Sequence, residues 1–154
     1  MTWSIRPANS TDAPLLIEHN RLMALETENK VLDPDVLARG VQAALADPAK
    51  GRYFVALDEQ GRMAGQMMFT FEWSDWRNGY FWWLQSVFVP HEFRRQGVFA
   101  ALFQHVLELA RNDPQVVGIR LYVEHDNLRA QETYRRSGLS QTGYLVYERE
   151  FTNP

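Results

Sequence analysis

The chain of 154 residues contains no cysteine. That excludes disulfides, thiolate zinc sites, iron–sulfur clusters and a cysteine nucleophile, and it favours a reducing, cytoplasmic compartment. Long apolar runs are missing too: no stretch approaches the ~18 residues of a membrane-spanning helix, so no membrane partner is expected. The N-terminus, MTWSIRPANSTDAP, lacks a basic segment followed by an apolar one and does not read as a signal peptide. Basic excess is lacking as well. Sixteen Lys+Arg face nineteen Asp+Glu, for a net charge of −3, which leaves nothing to neutralise a nucleic-acid backbone. No metal is expected.

What remains is ordinary globular composition, 45% hydrophobic and 23% charged, in a length that suits one domain over 1–154. The acidic surplus lies in residues 1–77, with 8 basic and 11 acidic side chains, whereas 78–154 carries 8 of each. Four of the five tryptophans, Trp73, Trp76, Trp82 and Trp83, fall within eleven residues.

Periodicity places the elements. Trp3–Arg6 alternates as a strand. Asn9, Ser10, Thr11 and Asp12 offer caps for a helix reaching about Leu25, and the polar run Glu26–Asp33 reads as a loop. Asp33 caps a second helix with Pro34 at its first position, ending at Asp47-Pro48. The period then falls to two: strands are expected at Tyr53–Leu57, Met63–Phe71 and Tyr80–Val89, with a hairpin at Asp58–Gly61 and a longer turn at Trp73–Gly79. A helix from Gly97 to about Arg111, a strand Val117–Val123, a helix Asn127–Ser137 stopped by Gly138, and a last strand Tyr144–Phe151 complete the chain. The order β-α-α-β-β-β-α-β-α-β is that of an α/β (α+β) protein with a mixed sheet flanked by helices.

The segment Ser86-Val-Phe-Val-Pro-His-Glu-Phe-Arg-Arg-Gln-Gly-Val-Phe99 carries the first chemical signal. An apolar strand ends, a basic loop with glycine follows, and a helix begins. Its unpaired N–H groups and dipole make a ready anion site, which Arg94 or Arg95 can reinforce. Strand–glycine–helix junctions also arise for structural reasons alone. Neither G-x-x-x-x-G-K-[ST] nor G-x-G-x-x-G is present.

Arg94-Arg95-Gln96-Gly97-Val98-Phe99 resembles the pyrophosphate loop [RQ]-x-x-G-x-[GA] of the GCN5-related N-acetyltransferases (GNAT), with Phe99 in place of the last small residue. That substitution keeps the backbone N–H and requires the ring to point away from the cofactor. A second element resembles N-x-x-A-x-x-x-Y-x-x-x-G-[FL] of the same family, with Asn127, Ala130, Tyr134, Gly138 and Leu139 in place. On a helix, positions 127, 130 and 134 share one face.

The resemblance implies a GNAT-like acyl-CoA N-acyltransferase fold and acetyl-CoA as co-substrate. The cofactor would lie in a V-shaped slot between two splayed parallel strands, its pantetheine pairing with backbone around Val87, Phe88 and Val89. The diphosphate would sit on Gln96, Gly97, Val98 and Phe99 beside Arg94 and Arg95, and Asn127 and Ala130 would flank the arm. The implied reaction is direct acetyl transfer to a primary amine, with Tyr134 protonating the departing thiolate. Gln85 stands where many relatives carry a basic glutamate, so Glu72, Glu124, Glu26 or a water chain is left to take the amine proton, with His125 a further candidate.

The acceptor, a small molecule or a peptide, is expected near Glu26, Glu28, Trp73 and Gln85, where carboxylates and aromatic rings suit a cationic amine. The tryptophans serve equally as core or as a homodimer interface. Two other readings stand beside the enzyme: a non-catalytic acyl-CoA-binding or sensing module, and an interaction protein docking through its tryptophans.

Overall fold

A computed structural model describes residues 2–151 of the chain. The chain divides into two compact units, Met1–Tyr122 and Val123–Pro154.

The first unit is built on a five-stranded sheet in sequential order, β1 (Ser4–Pro7), β2 (Arg52–Leu57), β3 (Met63–Ser74), β4 (Gly79–Phe88) and β5 (Val116–Arg120). The first four strands run antiparallel and β5 joins β4 in parallel, giving the mixed sheet expected from the element order. Helix α1 (Ala13–Glu28) follows a single 3₁₀ turn, Ser10–Asp12, whose Asn9 and Asp12 form a reciprocal capping box. Helix α2 (Pro34–Ala46) starts at its Asp33 cap with Pro34 as first residue, as the sequence reads. Helix α3 (Val98–Asn112) precedes β5.

Alternation along β2 shows how the layers form. Tyr53 and Val55 pack with Leu16 of α1 and Val41 of α2 in one apolar cluster. Phe54, on the opposite face, meets His105 of α3 with ring centroids 5.4 Å apart. The sheet is therefore covered on both faces, and β2 is apolar at nearly every position because neither face is wet. A Cβ built on Gly65 of β3 would stand 2.7 Å from Val98 Cγ1 and 3.3 Å from Leu102 Cδ1. Only glycine there lets the first turn of α3 settle onto the sheet.

Several boundaries differ from the sequence reading. Glu26–Glu28 are helical and not loop, because Asn29 at φ 50° supplies the left-handed stop and its N–H returns to the Ala24 and Leu25 carbonyls. Strand β3 continues through Trp73 to Ser74, with Trp73 paired to Tyr80, so the turn shrinks to 75–78. Strand β5 ends at Arg120, three residues early.

The tryptophans do not act as one cluster. Trp82 is buried and stacks on Phe69 at 4.1 Å, Trp83 is half-buried, Trp73 is exposed, and Trp76 at the turn is 86% exposed. Period-two alternation sends neighbours to opposite faces.

Among its described residues the second unit contains one helix, α4 (Leu128–Arg136), capped by Asn127. The expected last strand over 144–151 does not form: 139–151 carries no strand, and Tyr144, Tyr147 and Phe151 are exposed. Alternation in Tyr144–Phe151 supplies strand propensity, but that propensity depends on context and does not by itself make a strand. Among the described residues, no helix is long and apolar enough to cross a membrane.

Candidate active site

The site in the first unit begins with a defect in β4. Gln66 of β3 faces Phe88 and Met68 faces Gln85. Two steps on β3 thus match three on β4, and one residue is extra. This β-bulge contains Ser86, which has φ 51°, a left-handed conformation that a side chain rarely adopts. On the other edge, β4 pairs with β5 only from Tyr80 to Trp83. From Leu84 onward no strand is paired to its second edge among the described residues, so no ladder uses the backbone groups of Val87 and Phe88 on that side. This is the splay that the resemblance implies.

A buried polar chain holds the bulge. The Gln66 side-chain amide is fully buried; its Nε2 donates to the Ser86 carbonyl at 2.9 Å, and its Oε1 lies 3.2 Å from His19 Nδ1. A carbonyl only accepts, so the amide nitrogen must face Ser86 and the amide oxygen must face His19. His19 therefore carries its proton on Nδ1 and donates it. Burial pushes the His19 pKa down, which keeps the ring neutral, and it packs 5.3 Å from the Phe88 ring. Neither His19 nor Gln66 was among the sequence candidates. The available signal was a glutamine in an otherwise apolar stretch, Met63–Phe71, where a buried polar group must find partners.

Beyond Pro90, a 3₁₀ turn at His91–Phe93 leads into the loop 94–97. Arg95 has φ 63° and Gly97 φ 82°. Gly97 is the N-cap of α3 and provides no side-chain cap, so the first-turn N–H groups are left for water or an anion. A Cβ on Gly97 would meet nothing within 4 Å, so the glycine is there for its backbone angle and its surroundings are open. The loop is tied down from afar: Trp3 Nε1 donates to the Gln96 carbonyl at 2.9 Å, and its ring meets Phe93 edge-on at 6.0 Å.

The two arginines divide the work. Arg94 Nε donates to the Val89 carbonyl at 2.8 Å, and its NH2 pairs with Glu26 at 2.6 Å. That makes it a brace between the loop and the end of α1. Arg95 is exposed and available to an anion. Phe99 is half-buried and stacks on Phe103, centroids 5.7 Å apart, so its ring runs along α3. An uncapped helix start, an open glycine and a solvent-facing arginine fit a phosphate group.

The remaining first-unit candidates are spread out. Glu72 pairs with Arg120 at 2.7 Å, and that guanidinium lies 3.6 Å from the Phe81 ring centroid. Gln85 Nε2 donates to Thr70 Oγ1 at 2.6 Å. Trp73 meets Tyr80 edge-on at 4.9 Å, and Glu28 is exposed at the end of α1. Two of the acidic candidates, Glu26 and Glu72, thus already hold arginines.

In the second unit, Asn127 Oδ1 accepts from the Ala130 N–H at 3.2 Å, which leaves the Asn127 amide hydrogens to donate elsewhere. Tyr134 lies one helical turn beyond Ala130. It is half-buried, and desolvation raises its pKa above the usual phenol value, so it stays protonated at neutral pH. Glu124 accepts from the Asp126 N–H at 2.8 Å, and His125 is fully exposed beside Asp126.

Similarity to known proteins agrees with this geometry. The family model for the acetyltransferase (GNAT) family matches residues 17–139. No curated protein sequence matches the chain. Among solved structures, a possible acetyltransferase from Clostridium difficile 630 is 42% identical; the match covers 99% of this chain and 100% of that one, with a TM-score of 0.91. An integron cassette protein from the mobile metagenome of Cole Harbour Salt Marsh is 22% identical over 97% of this chain and 91% of that one, TM-score 0.82. A predicted acetyltransferase with acetyl-CoA, from Clostridium acetobutylicum, is 16% identical over 96% of each chain, TM-score 0.77. The last two likenesses show the fold alone. The bulged, splayed β4, the glycine loop opening α3 and the matched sequence together place this chain in the GNAT family of acetyltransferases.

Proposed function

We propose that the protein is an acetyl-CoA-dependent N-acetyltransferase that acetylates a primary amine of a small molecule or peptide by direct transfer. The observation that carries this reading is the edge of β4 after Trp83 to which no strand is paired among the described residues, continuous in sequence with the uncapped start of α3. One offers backbone groups to the amides of an extended arm, and the other offers N–H groups to a diphosphate. The acetyl-CoA in the Clostridium acetobutylicum relative supports the same assignment.

In this reading Val87 and Val89 hold the arm, Gln96 to Phe99 with Arg95 hold the phosphates, and Arg94 fixes the loop. Backbone N–H at the bulge polarises the thioester carbonyl. The amine lone pair forms the C–N bond, the C–S bonding pair leaves on sulfur, and the amine sheds one proton. Glu72 or Glu124 takes that proton, directly or through water. Tyr134 gives a proton to the sulfur, and its raised pKa keeps that proton in place until it is needed. With no cysteine in the chain, a covalent acyl-cysteine relay has no nucleophile.

The test is a pair of measurements on the Tyr134→Phe variant. Thermal shift with acetyl-CoA should match wild type, while thiol release with an amine acceptor should fall by roughly 10²–10⁴. Turnover equal to wild type would remove Tyr134 from the mechanism. No thermal shift in either protein would remove acetyl-CoA.

A further inference from the structure

A cavity of about 310 Å³ lies among α1, α2, β2, β3 and the β4 bulge. Its wall at one end is Ser86, the bulge residue itself, so its contents would sit beside the backbone that activates the thioester. Val41 of α2 and Met68 of β3 give it apolar sides. At its floor stand two polar side chains, Asn20 and Tyr53, only 6% and 7% exposed.

Their hydrogen bonds leave two valences open. Asn20 Nδ2 donates to the Leu16 carbonyl at 2.9 Å and to the Tyr53 hydroxyl oxygen at 3.2 Å. Asn20 Oδ1 and the Tyr53 hydroxyl proton have no partner among the described residues. Yet no fully enclosed side-chain polar atom among the described residues lacks a hydrogen bond, so Asn20 Oδ1 must be open to the cavity that Asn20 lines, while the Tyr53 hydroxyl, on the same lining, keeps a proton to donate. An acceptor and a donor, side by side on an apolar floor, form a site built for a small polar head on an apolar body.

Charge narrows the ligand. No carboxylate lines the cavity; its ammonium, that of Lys50, sits at the exposed rim and pairs with Asp47 at 3.4 Å. Glu26 and Glu72, which would have attracted a cation, are taken by Arg94 and Arg120. A second positive charge on the acceptor would therefore be desolvated with no counter-charge, and a lysine would stand at the entrance. At ~30 Å³ per water-sized group, the volume holds on the order of ten non-hydrogen atoms.

We infer that this cavity binds the acceptor, and that the acceptor is a small primary monoamine with a branched aliphatic or aromatic body. Its amine N–H is received by Asn20 Oδ1. This rests on the acetyltransferase reading above and replaces the expectation of a cationic acceptor.

Gly40 gives the cleanest test. It lines the cavity from α2, and a Cβ there meets nothing within 4 Å, so Gly40→Leu keeps the helix and fills the space. Two measurements separate the cavity from the chemistry. Ligand-observed NMR with 2-phenylethylamine, run without acetyl-CoA, should show binding to wild type that Gly40→Leu abolishes and Tyr53→Phe weakens. Thiol release from acetyl-CoA should favour 3-methylbutylamine and 2-phenylethylamine over 1,4-diaminobutane by about tenfold or more in kcat/KM. In Gly40→Leu their KM should rise with kcat little changed.

Absence of 2-phenylethylamine binding to wild type, equal or better use of the diamine, or an unchanged KM in Gly40→Leu would each overturn the inference. So would acetyl-CoA binding with no acetylation of either monoamine. Amine binding that follows these expectations in a protein that ignores acetyl-CoA would instead refute the transferase reading and leave the cavity assignment standing.

Discussion

Replacing Gln66 by methionine tests whether a buried amide shapes the active-site strand. The substitution nearly conserves volume and removes both hydrogen bonds of the chain His19–Gln66–Ser86. His19 is 6% exposed, so its Nδ1–H cannot recover water and costs about 1–3 kcal/mol. The Ser86 carbonyl belongs to a half-buried residue and loses at most a similar amount. The sum is roughly 2–5 kcal/mol, or a fall in Tm on the order of 5–15 °C for a chain of this length.

A second consequence concerns shape. Ser86 sits at φ 51°, a conformation costing about 1–2 kcal/mol that persists only while something holds it. Without Gln66 the bulge relaxes, and the backbone groups of Val87 and Phe88 lose their alignment. The Michaelis constant for acetyl-CoA should then rise about tenfold or more, equivalent to ~1.4 kcal/mol of lost binding. Leu102→Ala is the control: Leu102 is fully buried on α3, loses about 2–5 kcal/mol on truncation, and makes no bond to the bulge. Urea titration ranks the two variants by stability, and steady-state kinetics ranks them by acetyl-CoA affinity. If Gln66→Met destabilises like Leu102→Ala and leaves the Michaelis constant for acetyl-CoA unchanged, the amide is a core contact and does not position the strand.

Two further outcomes are expected. Gly97→Ala places a Cβ on a residue at φ 82°; the left-handed penalty of about 1–2 kcal/mol should appear in urea unfolding, together with weaker acetyl-CoA binding, and neutral behaviour in both would show that the loop does not need glycine. Asp12 accepts from Arg6 at 2.7 and 3.0 Å and from the Asn9 N–H, and the Arg6 hydrogen bond above all holds its pKa below the ordinary carboxylate value. A depressed folded pKa stabilises above the unfolded value and loses that contribution as pH falls through the folded one. Wild type and Asp12→Asn should thus differ most near neutrality and converge in urea midpoint between ~pH 5 and ~pH 1; a constant gap would assign the effect to packing.

Much of the scaffold was readable because its causes are local. Asp33-Pro34 predicts the start of α2 to the residue, since a capping carboxylate and a proline at the first helical position act within one turn. The glycine before α3 and the asparagine before α4 likewise announce themselves. What failed had no comparable motif to announce it. Glu26–Glu28 look like loop until Asn29 ends the helix in a left-handed turn, and Tyr144–Phe151 alternates as a strand should but carries no strand.

The sequence by itself determined the family: element order, glycine loop and the Asn127–Tyr134 helix are motifs of fixed spacing, and spacing is visible in one dimension. Only the tertiary structure decided what the charged and polar side chains do. Arg94 and Arg95 are neighbours in sequence, yet one braces Glu26 across 68 positions and the other faces solvent. Glu26 and Glu72, which suggested a cationic acceptor, are held by arginines from other elements. Gln66, Asn20 and Tyr53 carried no motif at all. Their roles exist because folding buried them, and a buried polar atom must have a partner in the protein or await one in a ligand.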